Sequence, residues 1–123
     1  MTNSVAPAGV DHVAINVPDV PGAIAFYTAT MGLIQNSTRP DFGFAGAWLD
    51  TASGQQVHLI ELPAPPNVGQ HFALVYDDID AVVAELRDRG VEVTDPIPVG
   101  ETGRRQAFLT DPWGNGIELH QRP

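Results

Sequence analysis

Four side chains able to hold a cation or move a proton stand at matched places in this sequence: His12, His58, His71 and Glu118. The match comes from an internal echo. Residues 47–59, laid beneath 107–119, place Ala47 on Ala107, Trp48 on Phe108, Leu49 on Leu109, Gly54 on Gly114 and Leu59 on Leu119. The same alignment puts His58 on Glu118. A nearly equal offset lays Asp11-His12 on Gln70-His71, Asp19 on Asp78 and Ala25 on Ala84. Imidazole binds first-row divalent metals as the neutral base and Glu binds them as the anion, so the set suits one Fe, Mn, Ni, Co or Zn ion. A lone strand histidine is more often structural. Three histidines and one glutamate at repeat-equivalent positions favour a metal.

The neighbours of these four residues define the rest of the candidate site. Glu61 is an alternative to His58, but its odd offset puts it on the opposite face of a strand. His120 shares a face with Glu118 yet matches Ile60 in the repeat, which makes it a lining or rim residue rather than a ligand. Trp48, Phe108, Phe42, Phe44 and Trp113 are candidates to line an apolar substrate cavity, with core packing the favoured role for Trp48 and Phe108. Arg104 and Arg105 begin a strand, so one of them points inward. Arg105 is the candidate for holding a substrate carboxylate by a bidentate pair, against a solvated edge charge.

The elements that must position these groups repeat as well. Val10 to Val17 alternate as a strand, with His12, Ala14 and Asn16 on one face. Asp19 can cap a helix that tolerates Pro21 in its first turn, and Val20, Ile24, Tyr27 and Met31 form its apolar stripe up to Gly32. Three short strands are expected around 33–38, 42–49 and 55–62. Residues 63–69, proline-rich, join the copies. The second copy has a strand at 70–76, a helix capped by Asp77-Asp78 and ended by Gly90, then strands at 91–99, 104–110 and 116–121. The turn cluster Asp111-Pro112 and Gly114-Asn115-Gly116 is a strong hairpin signal. Each copy is thus β-α-β-β-β, and the chain is a tandem repeat of one supersecondary unit. Residues 1–8 read as a loose arm.

The composition narrows the partners. At 123 residues the chain is one domain's worth. Its net charge of −9, carried against six Arg and no Lys, argues against nucleic acid and against an anionic membrane surface. No cysteine is present, so disulfides and thiolate chemistry are excluded. No apolar run approaches the ~20 residues of a membrane span, and the first residues have neither the basic end nor the apolar core of a signal peptide. Cytoplasmic residence is the expectation.

The tandem pattern, with Asp-His-Val-Ala-Ile-Asn-Val-Pro-Asp (11–19), His-Phe-Ala-Leu-Val-Tyr-Asp-Asp-Ile-Asp (71–80) and Asp-Pro-Trp-Gly-Asn-Gly-Ile-Glu-Leu (111–119), resembles the vicinal oxygen chelate superfamily of glyoxalases, bleomycin-resistance proteins and extradiol dioxygenases. The resemblance spans residues 9–121 as a single domain, with module one at 9–62, a linker at 63–69 and module two at 70–121. It implies an α+β, glyoxalase-like fold in which two βαβββ modules form a curved mixed-sheet cup. Metal ligands would project from the first and fourth strands of each module, and by position they are His12, His58, His71 and Glu118. His58 departs from the pattern, since relatives carry Glu or Gln there.

The resemblance also implies a reaction. A metal-dependent lyase or isomerase of glyoxalase or epimerase type would bind adjacent substrate oxygens and acidify a C–H beside a carbonyl, with Glu118 shuttling the proton. The alternatives are a non-haem Fe(II) ring-cleaving dioxygenase built on His12, His71 and Glu118, and a non-catalytic drug- or metabolite-binding protein of the bleomycin-resistance type. Substrate contacts would come from Trp48, Phe108, Arg105 and His120. A small molecule with adjacent oxygens is the expected partner, and a homodimer the expected assembly.

Overall fold

The computed structural model describes residues 5–123. Of the arm expected at 1–8, residues 5–8 are exposed and irregular, and residues 1–4 lie outside the described set. The chain divides into two compact units, 1–63 and 64–123.

Unit one runs β1 (His12–Val17), α1 (Val20–Ala25), a π-helical turn (Phe26–Thr30), β2 (Ile34–Asn36), β3 (Gly46–Asp50) and β4 (Gln56–Glu61). Its sheet order is β1-β4-β3-β2, with β1 parallel to β4 and the other pairs antiparallel. The Asp19 carboxylate accepts the Gly22 N–H at 3.0 Å and starts α1. The helix packs on β3 and β4. Val20, Ala23, Tyr27 and Met31 are buried, as are Ala47 and Leu49 of β3 and Val57 and Leu59 of β4. Alternation along β3 and β4 therefore turns Gly46, Trp48, Gln56, His58 and Ile60 to the face away from this core.

Unit two repeats the plan with β5 (His71–Val75), α2 (Ile79–Asp88), β6 (Ile97–Pro98), β7 (Arg105–Thr110) and β8 (Gly116–Gln121). Its order is β5-β8-β7-β6, again with the first and last strands parallel. Asp78 caps α2 by accepting the Ala81 N–H at 3.1 Å, and the helix packs on β7 and β8. Ile79, Val83 and Leu86 are buried, with Ala107, Leu109, Ile117 and Leu119. The α+β class and the two tandem βαβββ modules of the sequence reading are present.

Three boundaries differ from that reading. The strand expected at 42–49 begins only at Gly46, because Asp41 accepts the Gly43 N–H at 2.8 Å and Gly43 turns at φ 81°. The strand expected over 91–99 shrinks to Ile97–Pro98. Pro96 and Pro98 donate no N–H to a ladder. The strand edge is stitched by Thr94 instead, whose N–H donates to the Phe108 carbonyl at 3.0 Å and whose Oγ1 accepts the Phe108 N–H at 2.8 Å. The first helix carries the π-helical turn, which no periodicity signal announced.

The β7–β8 hairpin fixes the register of Glu118. Asp111 is buried, and its carboxylate accepts the N–H groups of Trp113 and Asn115 at 2.9 Å each and the Asn115 side-chain amide at 2.9 Å. That turn chemistry explains the Asp-Pro-Trp-Gly-Asn motif. It sets Phe108 opposite Glu118 and Gln106 opposite His120.

Candidate functional site

Each unit gathers two of the four donor residues on the sheet face away from its helix. In unit one, β1 lies parallel to β4 with His12 level with Gln56. The rings of His12 and His58 stack at 3.9 Å with 13° between their planes, and Trp48 stacks on the other side of His58 at 4.8 Å and 11°. Trp48 and Phe108 are thus not core residues. The register puts Trp48 opposite His58 and Phe108 opposite Glu118, on the donor face.

Each of the three matched histidines has one ring nitrogen bonded to an acceptor. His12 Nδ1 donates to Asp11 Oδ2 at 2.8 Å, which leaves Nε2 as the lone-pair nitrogen. His58 Nε2 donates to Gln56 Oε1 at 2.8 Å, and the Gln56 amide donates on to Asp50 at 2.9 Å, which leaves Nδ1. His71 Nδ1 donates to the Gly69 carbonyl at 2.9 Å and its Nε2 donates to Glu118 Oε1 at 3.1 Å, so both of its nitrogens are engaged. In His12 and His58, an acceptor on one nitrogen and a lone pair on the other is the arrangement of a metal-binding histidine.

His120 differs. Its Nδ1 donates to Glu118 Oε2 at 2.7 Å, and its Nε2 accepts from Arg104 Nη1 at 3.0 Å. Both nitrogens are engaged, so this ring steadies the buried Glu118 carboxylate. Of the arginine pair, Arg104 reaches the donor face. Arg105 shares the helix-side face of β7 with Ala107 and Leu109 and forms a two-toothed pair with Asp80 of α2 at 2.6 and 3.1 Å. That pair raises the Arg105 pKa and lowers that of Asp80. The signal for Arg104 was its parity with Phe108, since residues 104, 106 and 108 share one face of the strand.

The charges of the two faces diverge. Burial and then the neighbouring His12 push the His58 pKa below 6.5, so it stays neutral. The hydrogen bond to Gly69, assisted by Glu118, pushes that of His71 above 6.5. Beside His71 opens a cavity of about 660 Å³, whose lining includes Thr94, Phe108, Thr110 and Gly116. Gly116 packs against β5: a Cβ there would lie 3.0 Å from the Gln70 carbonyl and from His71 Cβ. Among the described residues, no three histidine, aspartate or glutamate side chains group as a cation site. The described geometry supplies pairs. These donors nevertheless have the chemistry of a divalent-cation set: three oriented imidazoles and a carboxylate.

Fold and motif together define a family. The chain belongs to the Glyoxalase/Bleomycin resistance protein/Dioxygenase superfamily, whose family model matches residues 9–119. Among curated proteins it is similar to the lactoylglutathione lyase of Salmonella typhimurium, 30% identical, with 88% of each chain covered. Among solved structures it is similar to TnmS3, an antibiotic-binding protein from a Streptomyces species, at 30% identity and TM-score 0.82 over 97% of this chain and 99% of that one. It shares the fold of the fosfomycin-resistance protein FosX from Listeria monocytogenes, at 16% identity and TM-score 0.77 over 96% of each chain.

Proposed function

We propose that this protein is a divalent-metal-dependent enzyme of glyoxalase or epimerase type, acting on a small molecule with adjacent oxygens. The observation that carries the proposal is the orientation of His12, His58 and His71, each with one nitrogen donating to a fixed oxygen, which leaves the second nitrogen of His12 and His58 as base and sets that of His71 against Glu118 Oε1. Two donors from each module, His12 and His58 with His71 and Glu118, would hold the ion. The ion would act as a Lewis acid on two substrate oxygens, lowering the pKa of a neighbouring C–H.

The chain's own residues handle the proton. Glu118 takes it from carbon and returns it. Glu118 Oε2 is held by His120 Nδ1–H at 2.7 Å and Oε1 by the longer bond to His71 Nε2 at 3.1 Å, so Oε1 is the oxygen assigned to the proton transfer. Arg104 donates to His120 Nε2, which keeps the His120 proton on Nδ1 where Glu118 needs it. Phe108 stands edge-on to His71 at 5.5 Å and shields that side of the donor pair from water.

The test is reconstitution with Fe(II), Mn, Ni, Co or Zn followed by elemental analysis, and then deuterium exchange from solvent into 2-oxo-aldehyde–thiol adducts and acyl thioesters. One equivalent of metal and metal-dependent exchange are expected. Metal well below one equivalent, with His12→Ala unchanged, would refute the proposal. A second reading, a non-catalytic small-molecule binder, is favoured by the face-on stacking of His58 between His12 and Trp48. That stack makes an apolar platform as readily as a ligand pair.

A further inference from the structure

A line of rings crosses the donor face of unit one and runs out along the β2–β3 loop. His12 stacks on His58, His58 on Trp48, Trp48 meets Phe42 at 6.3 Å and 46°, and Phe42 stacks on Phe44 at 5.8 Å and 20°. Phe42 and Phe44 at its outer end are 51% and 50% exposed, a large apolar area for two adjacent loop residues. The Arg39 guanidinium lies 5.1 Å from the centroid of Phe42 and 5.4 Å from that of Phe44.

Its seat is specific. A Cβ on Gly46 would lie 2.8 Å from Arg39 Nη2 and would also strike the Leu59 carbonyl, so the guanidinium fits against β3 only because residue 46 is glycine. Gly46 and Trp48 alternate onto the same face, which puts the guanidinium on the side that carries His58. One Arg39 bond is present, Nη2 to the Phe44 carbonyl at 3.1 Å. Among the described residues Arg39 forms no ion pair with a carboxylate, whereas Arg87, Arg89 and Arg105 all do. The nearby Asp41 turns its carboxylate to the Gly43 N–H.

We infer that Arg39, Phe42 and Phe44 form a binding subsite for a planar aromatic anion, its ring stacked on the phenylalanines and its carboxylate or phenolate held by the guanidinium. Three features select this occupant. The subsite is continuous with the donor face through Trp48 and His58. Its rings present π faces, which suit another planar ring. Its cation has donors not committed to a carboxylate, and a guanidinium pairs well with an anionic oxygen. The inference names the substrate class of the site proposed above and rests on that reading only in taking this face as the substrate's; it needs no metal.

The experiment is calorimetric titration of the whole, EDTA-treated protein with naphthalene-2-carboxylate, naphthalene-2-carboxamide and cyclohexanecarboxylate. The naphthoate should bind about tenfold or more tighter than either comparator, as a charge-assisted hydrogen bond and ring stacking each supply. Arg39→Gln should make naphthoate and carboxamide equal. Phe42→Ala/Phe44→Ala should remove the advantage of naphthoate over cyclohexanecarboxylate. All three positions are exposed or half-buried, and circular dichroism checks that the variants fold. Naphthoate binding no better than carboxamide, or unchanged in Arg39→Gln, would overturn the inference. So would a double variant that only splits a homodimer and leaves naphthoate affinity intact, which would make the patch a subunit contact. Failure here with full metal uptake sinks the subsite alone, and the reverse outcome sinks the metal alone.

Discussion

The two modules share a backbone plan and differ at the same places on their donor faces. In module one, Asp50 and Gln56 lie opposite each other and bond to one another, filling the sheet end beside His12 and orienting His58. In module two the equivalent residues are Thr110 and Gly116, too small to fill that end, and the cavity opens there beside His71. Module one stacks rings, whereas module two joins His71, Glu118, His120 and Arg104 in a polar chain. The sheet cores, by contrast, are close to identical: Ala47, Leu49 and Leu59 repeat as Ala107, Leu109 and Leu119, and Val57 is answered by Ile117, all buried. A duplicated unit keeps its packing because every core position is coupled to its neighbours. Its exposed face is free to diverge, and on the function proposed above proton chemistry falls to module two and ring recognition to module one.

The largest effect should come from removing the one carboxylate of the donor set. Glu118→Gln is expected to lower proton-exchange activity by about 10²–10⁴-fold, and metal retention by at least about 100-fold. His58→Gln should cost metal retention only about tenfold. Equal losses would remove the distinction between the modules, as read by exchange rate and by metal titration.

Next in size are the paired cores. Leu59→Ala and Leu119→Ala, at 1% and 0% exposure, should each destabilise the protein by about 2–5 kcal/mol in chemical denaturation, and by similar amounts. A difference of more than about 2 kcal/mol between them would show that the modules do not share their packing.

A smaller effect is expected from Tyr76, just beyond β5. Burial pushes its phenol up to about 12. Its folded pKa stands above the ordinary 10, so its contribution is full below pH 10 and is lost as pH rises towards 12. The loss should reach at most about 3 kcal/mol. Ultraviolet titration should show a late-forming tyrosinate that Tyr76→Phe removes, and the same substitution should flatten the alkaline fall in stability. Removal by Tyr76→Phe of a tyrosinate that forms near 10 would contradict this.

The smallest effect is a matter of sign. In metal-free protein, His71 should protonate before His58 as pH falls through 6.5, because one pKa is raised and the other lowered. Linkage then runs oppositely in the two modules. The His71 contribution is full below 6.5 and is lost as pH rises through its folded pKa. The His58 contribution is full above 6.5 and is lost as pH falls through its own. Histidine proton resonances followed from pH 8 to pH 5 would show the order.

Much of this was legible in the sequence because duplication is a sequence property. The echo that lays Trp48 and His58 on Phe108 and Glu118 located the donor-bearing strands, and Asp78, Ile79, Val83 and Leu86 announced α2 through capping and spacing. What escaped depends on contacts distant in sequence. The π-helical turn at Phe26–Thr30 has no pattern of its own. The seat of Arg39 over Gly46 exists only once β3 pairs with β4. Arg104 was passed over for Arg105 although parity with Phe108 places it on the donor face, and its partner there, the His120 ring, comes from the next strand. The tautomers of His12, His58 and His71 are set by Asp11, Gln56 and a backbone carbonyl, and residue types alone do not specify such partners.

The central claim, that these imidazoles are poised bases for a divalent ion, is tested most directly by nitrogen-15 chemical shifts of the histidine rings during Zn²⁺ titration. The account predicts that His12 Nε2, His58 Nδ1 and His71 Nε2 shift together and saturate at one equivalent, while both nitrogens of His120 stay in place. Shifts confined to His120, or none at one equivalent, would contradict it.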